Sequence, residues 1–523
     1  MEMERNVWQG TRKYMEKIYK KIKKLDELAC EIKNLKKQGK KVVHCHGVFD
    51  LIHPGHIRHL ASAKKEGDIL VVTITADEYV RKGPGRPIFN ENLRAETLAA
   101  MENVDYVAIN DAPTAVNCIK MLMPSVYVKG QDYIQKDKDV TGKINDEEEA
   151  ILSVGGGIVF TDDITFSSSK LINEHLEVFP DAVRKYLKKI SEKHSIDSII
   201  KSINSVKNLK VLVIGDAIID QYHYCETMGT SLKGQIVVTK SVSEEFFAGG
   251  VFATANNVAA LCGKVDLVTV LGDKDNNQQF IDSHLSTNIT AKYFYRADSP
   301  TTVKRRFVDS GNNKKMFEIC LMNDFPISSN LENDVLGYLE EKIANYDLVI
   351  VSDFGHGFLN KRLIAFICKN SKFLAVNVQT NSANTGFNLT SKYPRADYVS
   401  IDEPEIRLAM HEKHMSLDEV MEMLLQKFDY KNLIVTRGKQ GSLFYSKETD
   451  FIEAPALASK VIDTVGAGDA FFAYTAPLIA AGIAPEVVSF AGNAVGALAV
   501  QIVCNRNPVD VVDLLKFITR LLK

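Results

Sequence analysis

HGVFDLIHPGH, residues 46–56, brings three histidines, two glycines and one aspartate into eleven positions. His53 and His56 stand three apart, and Pro54 between them suits the first position of a helix, where its missing N–H is no loss. A helix starting there aims unpaired backbone amides and the positive end of its dipole at an anion. Two imidazoles beside a phosphate can steady the charge of a phosphoryl transition state without a covalent intermediate. The same spacing also serves a metal-ligand pair or simple packing. A zinc site would want third and fourth ligands at recognisable spacing, and H-E-x-x-H is absent.

A second such turn is IDTVGAGDAFF, residues 462–472. Small residues open onto a helix, so the amides of Gly466, Ala467 and Gly468 face an anion while Asp469 sits where it could take a hydroxyl proton. An aspartate at that place is also an ordinary helix cap. Phe471 occupies the third glycine position of a dinucleotide fingerprint, so that motif fails, and no G-x-x-x-x-G-K-[ST] occurs.

The elements that must hold these turns read as α/β. KVVHCHGVFD is a buried strand, IRHLASAKKEG a helix and DILVVTITAD another strand, and the alternation continues to SVYVKG and closes near residue 176. Residues 1–40 are lysine-rich with a helical pattern, which predicts a basic helical extension with a solvated face. Residues 177–208 are amphipathic and predict a helical linker. A new strand starts at KVLVIGDAIID, and strands alternate with helices again across 209–523. Two α/β domains joined by a helix are expected.

HGVFDLIHPGHIRHLASAKKEGD resembles the cytidylyltransferase-like nucleotidyltransferases, whose signature is H-x-G-H. Across 41–176 the likeness is to the heptose-1-phosphate adenylyltransferase unit. The resemblance implies a Rossmann-like domain in which a sugar 1-phosphate attacks the α-phosphate of a nucleoside triphosphate and expels pyrophosphate. It implies that His53 and His56 contact the triphosphate, and that Lys64 and Arg94 neutralise it. Ser168, with Ser167 and Ser169 in TFSSSKLI, would hold the β/γ end. Asp50 would orient a histidine or the substrate, and Lys129 would reach the acceptor phosphate unless it is a solvated loop lysine. Gly47, Phe49 and Gly55 would lie against the nucleotide, with Mg²⁺ bridging phosphate oxygens.

The D-T-V-G-A-G-D run resembles the signature of ribokinase-like sugar kinases. That likeness implies an α/β domain with a small β lid, Asp469 as catalytic base and the amides of 466–468 as anion hole. Asp216 and Asp220 would bond sugar hydroxyls, Gly249 and Gly250 would allow close sugar approach, and Asp463 would join the substrate site. Thr436, Gly438 and Gly441 would flank ATP, Asn493 would lie near adenine, and Asp402 and Glu405 would organise Mg²⁺. Departures are visible. Where the heptose kinase half has Asp-Pro-Lys, this chain has Asn377, Val378 and Gln379, and S-D-Y-x-K-G reads SDFGHG, with His356 for lysine.

Together the two halves resemble the bifunctional heptose kinase/adenylyltransferases of lipopolysaccharide precursor synthesis, with the domain order reversed. The resemblance implies phosphorylation of an anomeric hydroxyl and conversion of the 1-phosphate to a nucleotide sugar such as ADP-heptose. A CTP-dependent transferase making a CDP-polyol or CDP-sugar stays open, as does a kinase half that only binds or dimerises. The expected partners are sugars, sugar phosphates and nucleotides, with a homodimer through the lid. Net charge is −2, giving no global attraction to nucleic acid or membrane. No apolar run approaches bilayer-spanning length, no secretory signal is visible, and the eight cysteines form no C-x-x-C pair. A reduced, cytoplasmic enzyme is expected.

Overall fold

The computed structural model describes residues 15–80, 86–130, 143–161, 179–458 and 460–523. The chain divides into two compact units, one of residues 1–179 with 515–521 and 523, the other of 180–514 with 522.

The first unit is a parallel sheet of β1 (Val42–Gly47), β2 (Ile69–Thr75), β3 (Tyr106–Asn110), β4 (Val126–Gly130) and β5 (Gly157–Thr161), in the order β3-β2-β1-β4-β5. Alternate strand residues point to opposite faces, and both faces are covered. Val43, Cys45, Leu70 and Val72 pack with Leu60, Ala63 and Leu98 on one side. Val42, Val71 and Ala108 pack with Leu28, Ile32, Cys118 and Leu122 on the other. The lysine-rich helix Leu25–Lys37 is therefore no appendage. Leu28 and Ile32 are fully buried in the fold, while Lys33 and Lys37 stay exposed.

The strand order reverses at β1, whose neighbours are β2 and β4. Loops leaving adjacent strands part at such a point and open a crevice at the carboxyl ends. β1 ends at Gly47, and the helix Pro54–Lys65 follows directly from its loop.

The second unit carries a nine-stranded sheet ordered β10-β9-β6-β13-β14-β15-β16-β17-β18. Its members are β6 (Lys210–Gly215), β9 (Lys264–Gly272), β10 (Ile289–Arg296), β13 (Leu348–Asp353), β14 (Leu374–Val378), β15 (Arg395–Asp402), β16 (Asp429–Thr436), β17 (Ser442–Ser446) and β18 (Thr449–Ala454). The pairs from β10 to β16 are parallel, and the last two are antiparallel. Here the reversal falls at β6, and Asp216 follows it at once.

From that edge rises a four-stranded sheet of β7 (Ala217–Thr230), β8 (Val237–Gly250), β11 (Thr302–Asp309) and β12 (Lys315–Leu321), in the order β12-β11-β7-β8. The expected lid is present. The helix Ala467–Ala480 is buried along nearly its whole length and is pinned by Thr475, whose hydroxyl meets that of Tyr398 on β15 at 2.7 Å. The expected linker is two helices, Asp181–Lys193 and Ile196–Ser205, which belong to this unit and bury Leu187, Ile190, Ile199 and Ile203.

Candidate active sites

At the end of β1 the chain turns through Phe49, whose φ is +49°. A Cβ on Gly47 would lie 3.1 Å from the Phe49 ring, so glycine there lets the ring fold back over the strand end. His53 caps the following helix, its Nδ1 accepting from the Gly55 amide at 3.1 Å. An accepting Nδ1 leaves the proton of the neutral ring on Nε2. Burial lowers the His53 pKa, which favours that neutral form. The His53 and His56 rings lie 3.9 Å apart, and Phe49 meets His56 edge-on at 5.3 Å. The two imidazoles thus form one cluster at the helix start.

Four expected phosphate or substrate contacts are spent inside the protein. Lys64 pairs with Asp105 and donates to the Asp68 carbonyl at 2.6 Å. It sits in the last turn of its helix, roughly 15 Å along the axis from the imidazoles. Arg94 is 1% exposed and donates to the carbonyls of Phe89, Val48 and Thr75 and to Asp77, at 2.6–3.0 Å. Lys129 makes a buried 2.7 Å ion pair with Glu147. Asp50 holds the loop 86–89 rather than a histidine, accepting from Arg86 (2.8 Å), Ile88 N (2.7 Å) and Phe89 N (3.1 Å). Ser167, Ser168 and Ser169 lie outside the described residues.

Arg86 was not singled out by motif. Its side chain is 3% exposed, one nitrogen meets Asp50, and Nε and the other amino nitrogen are buried without partners among the described residues. Unsatisfied guanidinium donors beside the strand-end loop are what a phosphate or ribose would complete. The only sequence signal was an arginine before Pro87 in a glycine-rich stretch. Behind the loop, Thr73 Oγ1 sits 2.8 Å from both His44 Nε2 and His46 Nδ1. One hydroxyl has one proton, so at least one imidazole donates to it.

In the second unit Gly466 has φ +84°, and a Cβ there would fall 1.9 Å from Asn505 Oδ1. Only glycine fits, and the helix Ala467–Ala480 begins at the next residue. Asp469 is 7% exposed, and burial, together with the charge of Asp220, pushes its pKa up to about 7. Its Oδ1 accepts from Gln379 Nε2, an amide 3.0 Å from Asn377 Oδ1, and Asn377 donates to the Ser400 carbonyl at 2.7 Å. The departures at 377 and 379 therefore build a hydrogen-bond chain onto the candidate base.

Asp216 accepts from the Phe354 amide at 2.8 Å, and burial and Asp353 raise its pKa to about 6. Asp220 pairs with Arg306. The double glycine serves the protein itself. A Cβ on Gly249 would meet Asp220 Oδ2 at 1.9 Å, and one on Gly250, φ +55°, would meet the Asp216 carbonyl at 2.7 Å. Asp463 accepts from Tyr222 (2.7 Å), Lys315 (2.5 Å) and the amides of Val465 and Cys504 (both 3.1 Å). It ties β7 and β12 of the lid to the glycine turn instead of offering itself to a sugar.

Asp402 and Glu405 form a reciprocal capping box at 2.8 and 3.0 Å, and the second Glu405 oxygen accepts from Thr380 N at 2.8 Å. Their carboxylates are thus committed, and among the described residues no cluster of three or more His, Cys, Asp or Glu could hold a metal. Thr436 ends β16, Gly438 has φ +55°, and Gly441, φ +90°, allows the Ala454 carbonyl within 2.0 Å of where a Cβ would be. Asn493 is turned inward, its amide donating to Ser442 Oγ (2.7 Å) and the Ser489 carbonyl (2.8 Å).

Residues 208–510 match the pfkB family carbohydrate kinases. The chain belongs to that family. Residues 44–174 match the cytidylyltransferase-like family, so the pfkB unit follows a nucleotidyltransferase-like unit on one chain. Among curated relatives, the Bifunctional protein HldE of Geobacter metallireducens is 43% identical over 26% of this chain and 29% of its own. That of Pelobacter propionicus is 26% identical over 56% of this chain and 59% of its own. The chain thus spans less than two thirds of the curated relatives it matches. Among solved structures, a Thermotoga maritima ribokinase is 20% identical, covering 60% of this chain and 99% of that one, at TM-score 0.48. Escherichia coli phosphofructokinase-2 is 15% identical, covering 60% and 100%, at TM-score 0.49.

Proposed function

We propose that the chain activates one sugar in two steps, phosphorylating it at the anomeric hydroxyl and transferring a nucleotide to the resulting 1-phosphate. The observation that carries this is Asp469, a buried carboxyl held near pH 7 at the mouth of a glycine turn that opens a helix. In the first step the sugar oxygen attacks the γ-phosphorus of ATP, Asp469 takes the hydroxyl proton, and the bond to the β-phosphate oxygen breaks to leave ADP. The turn's amides would face the transferring phosphoryl group. In the second step a 1-phosphate oxygen attacks the α-phosphorus of a nucleoside triphosphate and pyrophosphate leaves. The His53 Nε2–H and His56 would donate to the triphosphate as its charge shifts.

The likeness of residues 41–176 to heptose-1-phosphate adenylyltransferases supports a heptose and ATP. The cytidylyltransferase-like match keeps CTP as the competing donor. Purified protein given Mg²⁺, a sugar 1-phosphate and each triphosphate in turn tests the donor by pyrophosphate release. ADP formed from ATP with a free or phosphorylated sugar, and abolished in Asp469→Asn, tests the kinase. Sugar-dependent ADP formation that survives Asp469→Asn contradicts the role of the base.

A further inference from the structure

His356 follows the end of β13, beside Asp216 at the end of β6, on the edge from which the lid rises. It is 5% exposed, and neither ring nitrogen has a hydrogen-bond partner. Buried polar groups are seldom left so, because each unsatisfied one costs on the order of 1–3 kcal/mol. A cavity of about 20 Å³ lies against the ring, walled by Asp216, Ala217, Gly272, Arg296 and Thr302. That is room for a group the size of one water.

The chemistry of the wall selects what fits. Burial and the charge of Lys304 hold the imidazole pKa down to about 3, so the ring is neutral, with one donor and one acceptor. Asp216 adds an acceptor. Arg296 lines the space, but its fork is used on Asp298 (2.8 and 2.9 Å) and on the carbonyls of Asn323 (3.2 Å) and Phe325 (3.1 Å). A hydroxyl both gives and accepts one hydrogen bond, so it satisfies His356 and Asp216 together. A phosphate only accepts, is too large for the space, and meets the Asp216 charge. Thr302 on the cavity wall pairs with Ile218, and Lys304 with Asp220, so the cavity lies at the foot of the lid sheet.

We propose that His356 and Asp216 form a hydroxyl-recognising subsite of the kinase unit, so that this unit selects an uncharged sugar over the same sugar carrying a terminal phosphate. The proposal rests on the kinase reading above for its location, and its test separates the two. ADP formation and calorimetric binding are measured on the full chain with D-mannose and D-glycero-D-manno-heptose, and with their 6- and 7-phosphates. The free sugar is expected to exceed its phosphate in kcat/KM, or in affinity, by at least ~10-fold. His356→Ala should raise KM or Kd for the free sugar at least ~10-fold with a smaller change in kcat, and His356→Gln, which keeps a donor and an acceptor, should restore part of the loss. A preference for the phosphorylated sugar overturns the subsite. So does a folded His356→Ala protein with unchanged KM and Kd, the result expected if a resident water alone fills the cavity, and so does failure to bind any of the four sugars. Binding of free sugar that depends on His356 without any ADP formation would leave the subsite standing while the kinase reading falls.

Discussion

A carboxyl group deprived of water gives up its proton reluctantly, and Asp469 turns that reluctance into a usable base. With its pKa near 7, the kinase rate should fall as pH drops through about 7, because only the ionised form accepts the hydroxyl proton. The Gln379 amide donates to that ionised form and favours it. Replacing it by leucine should raise the Asp469 pKa further and move the acidic limb of the pH–rate profile upward, whereas an unmoved limb would remove Gln379 from the proton's path. The same group bears on stability. Its folded pKa lies above the ordinary carboxyl value, so the folded unit holds the proton more tightly, and its contribution is full at acid pH and is lost as pH rises towards 7. Asp469→Asn should therefore raise the melting temperature at pH 8 more than at pH 5 while lowering sugar-dependent ADP formation at least ~100-fold. In the other unit, His56→Ala should lower nucleotidyl transfer at least ~100-fold, the loss expected when one donor to a developing oxyanion is removed.

At the level of elements, the alternation of strands and helices, the helix start at Pro54 and the glycine turn at 466 were readable because local chemistry dictates them. Where a long side chain spends its charge was not readable. Lys64, Arg94 and Lys129 have the right type for phosphate contacts, but each pairs with a carboxylate from another segment of the chain. Arg86 had the converse problem, an ordinary arginine until the fold buried two of its donors unpaired. Lysine content likewise hid Leu28 and Ile32, whose spacing puts one face of a basic helix into the core. Arg94 gives the sharpest contrast between the two roles. As a pin across β2, the loop after β1 and the loop before its own helix, Arg94→Leu should destabilise the first unit by about 3 kcal/mol or more in denaturant unfolding. A phosphate ligand would instead weaken triphosphate binding and leave the unfolding midpoint unchanged.

For the whole molecule, two folds with separate strand reversals each place a helix start and its chemical groups at the carboxyl edge of a parallel sheet. The two activities should be separable by single substitutions. Following the phosphorus nuclei of one reaction tests that directly. Full-length protein, Mg²⁺, ATP, CTP and the free sugar should yield ADP and a sugar 1-phosphate, then pyrophosphate and a nucleotide sugar. His56→Ala should stop at the sugar 1-phosphate, and Asp469→Asn should do nothing until sugar 1-phosphate is added, then release pyrophosphate at the wild-type rate. Pyrophosphate release unaffected by His56→Ala, or a sugar phosphate formed by Asp469→Asn, would contradict it.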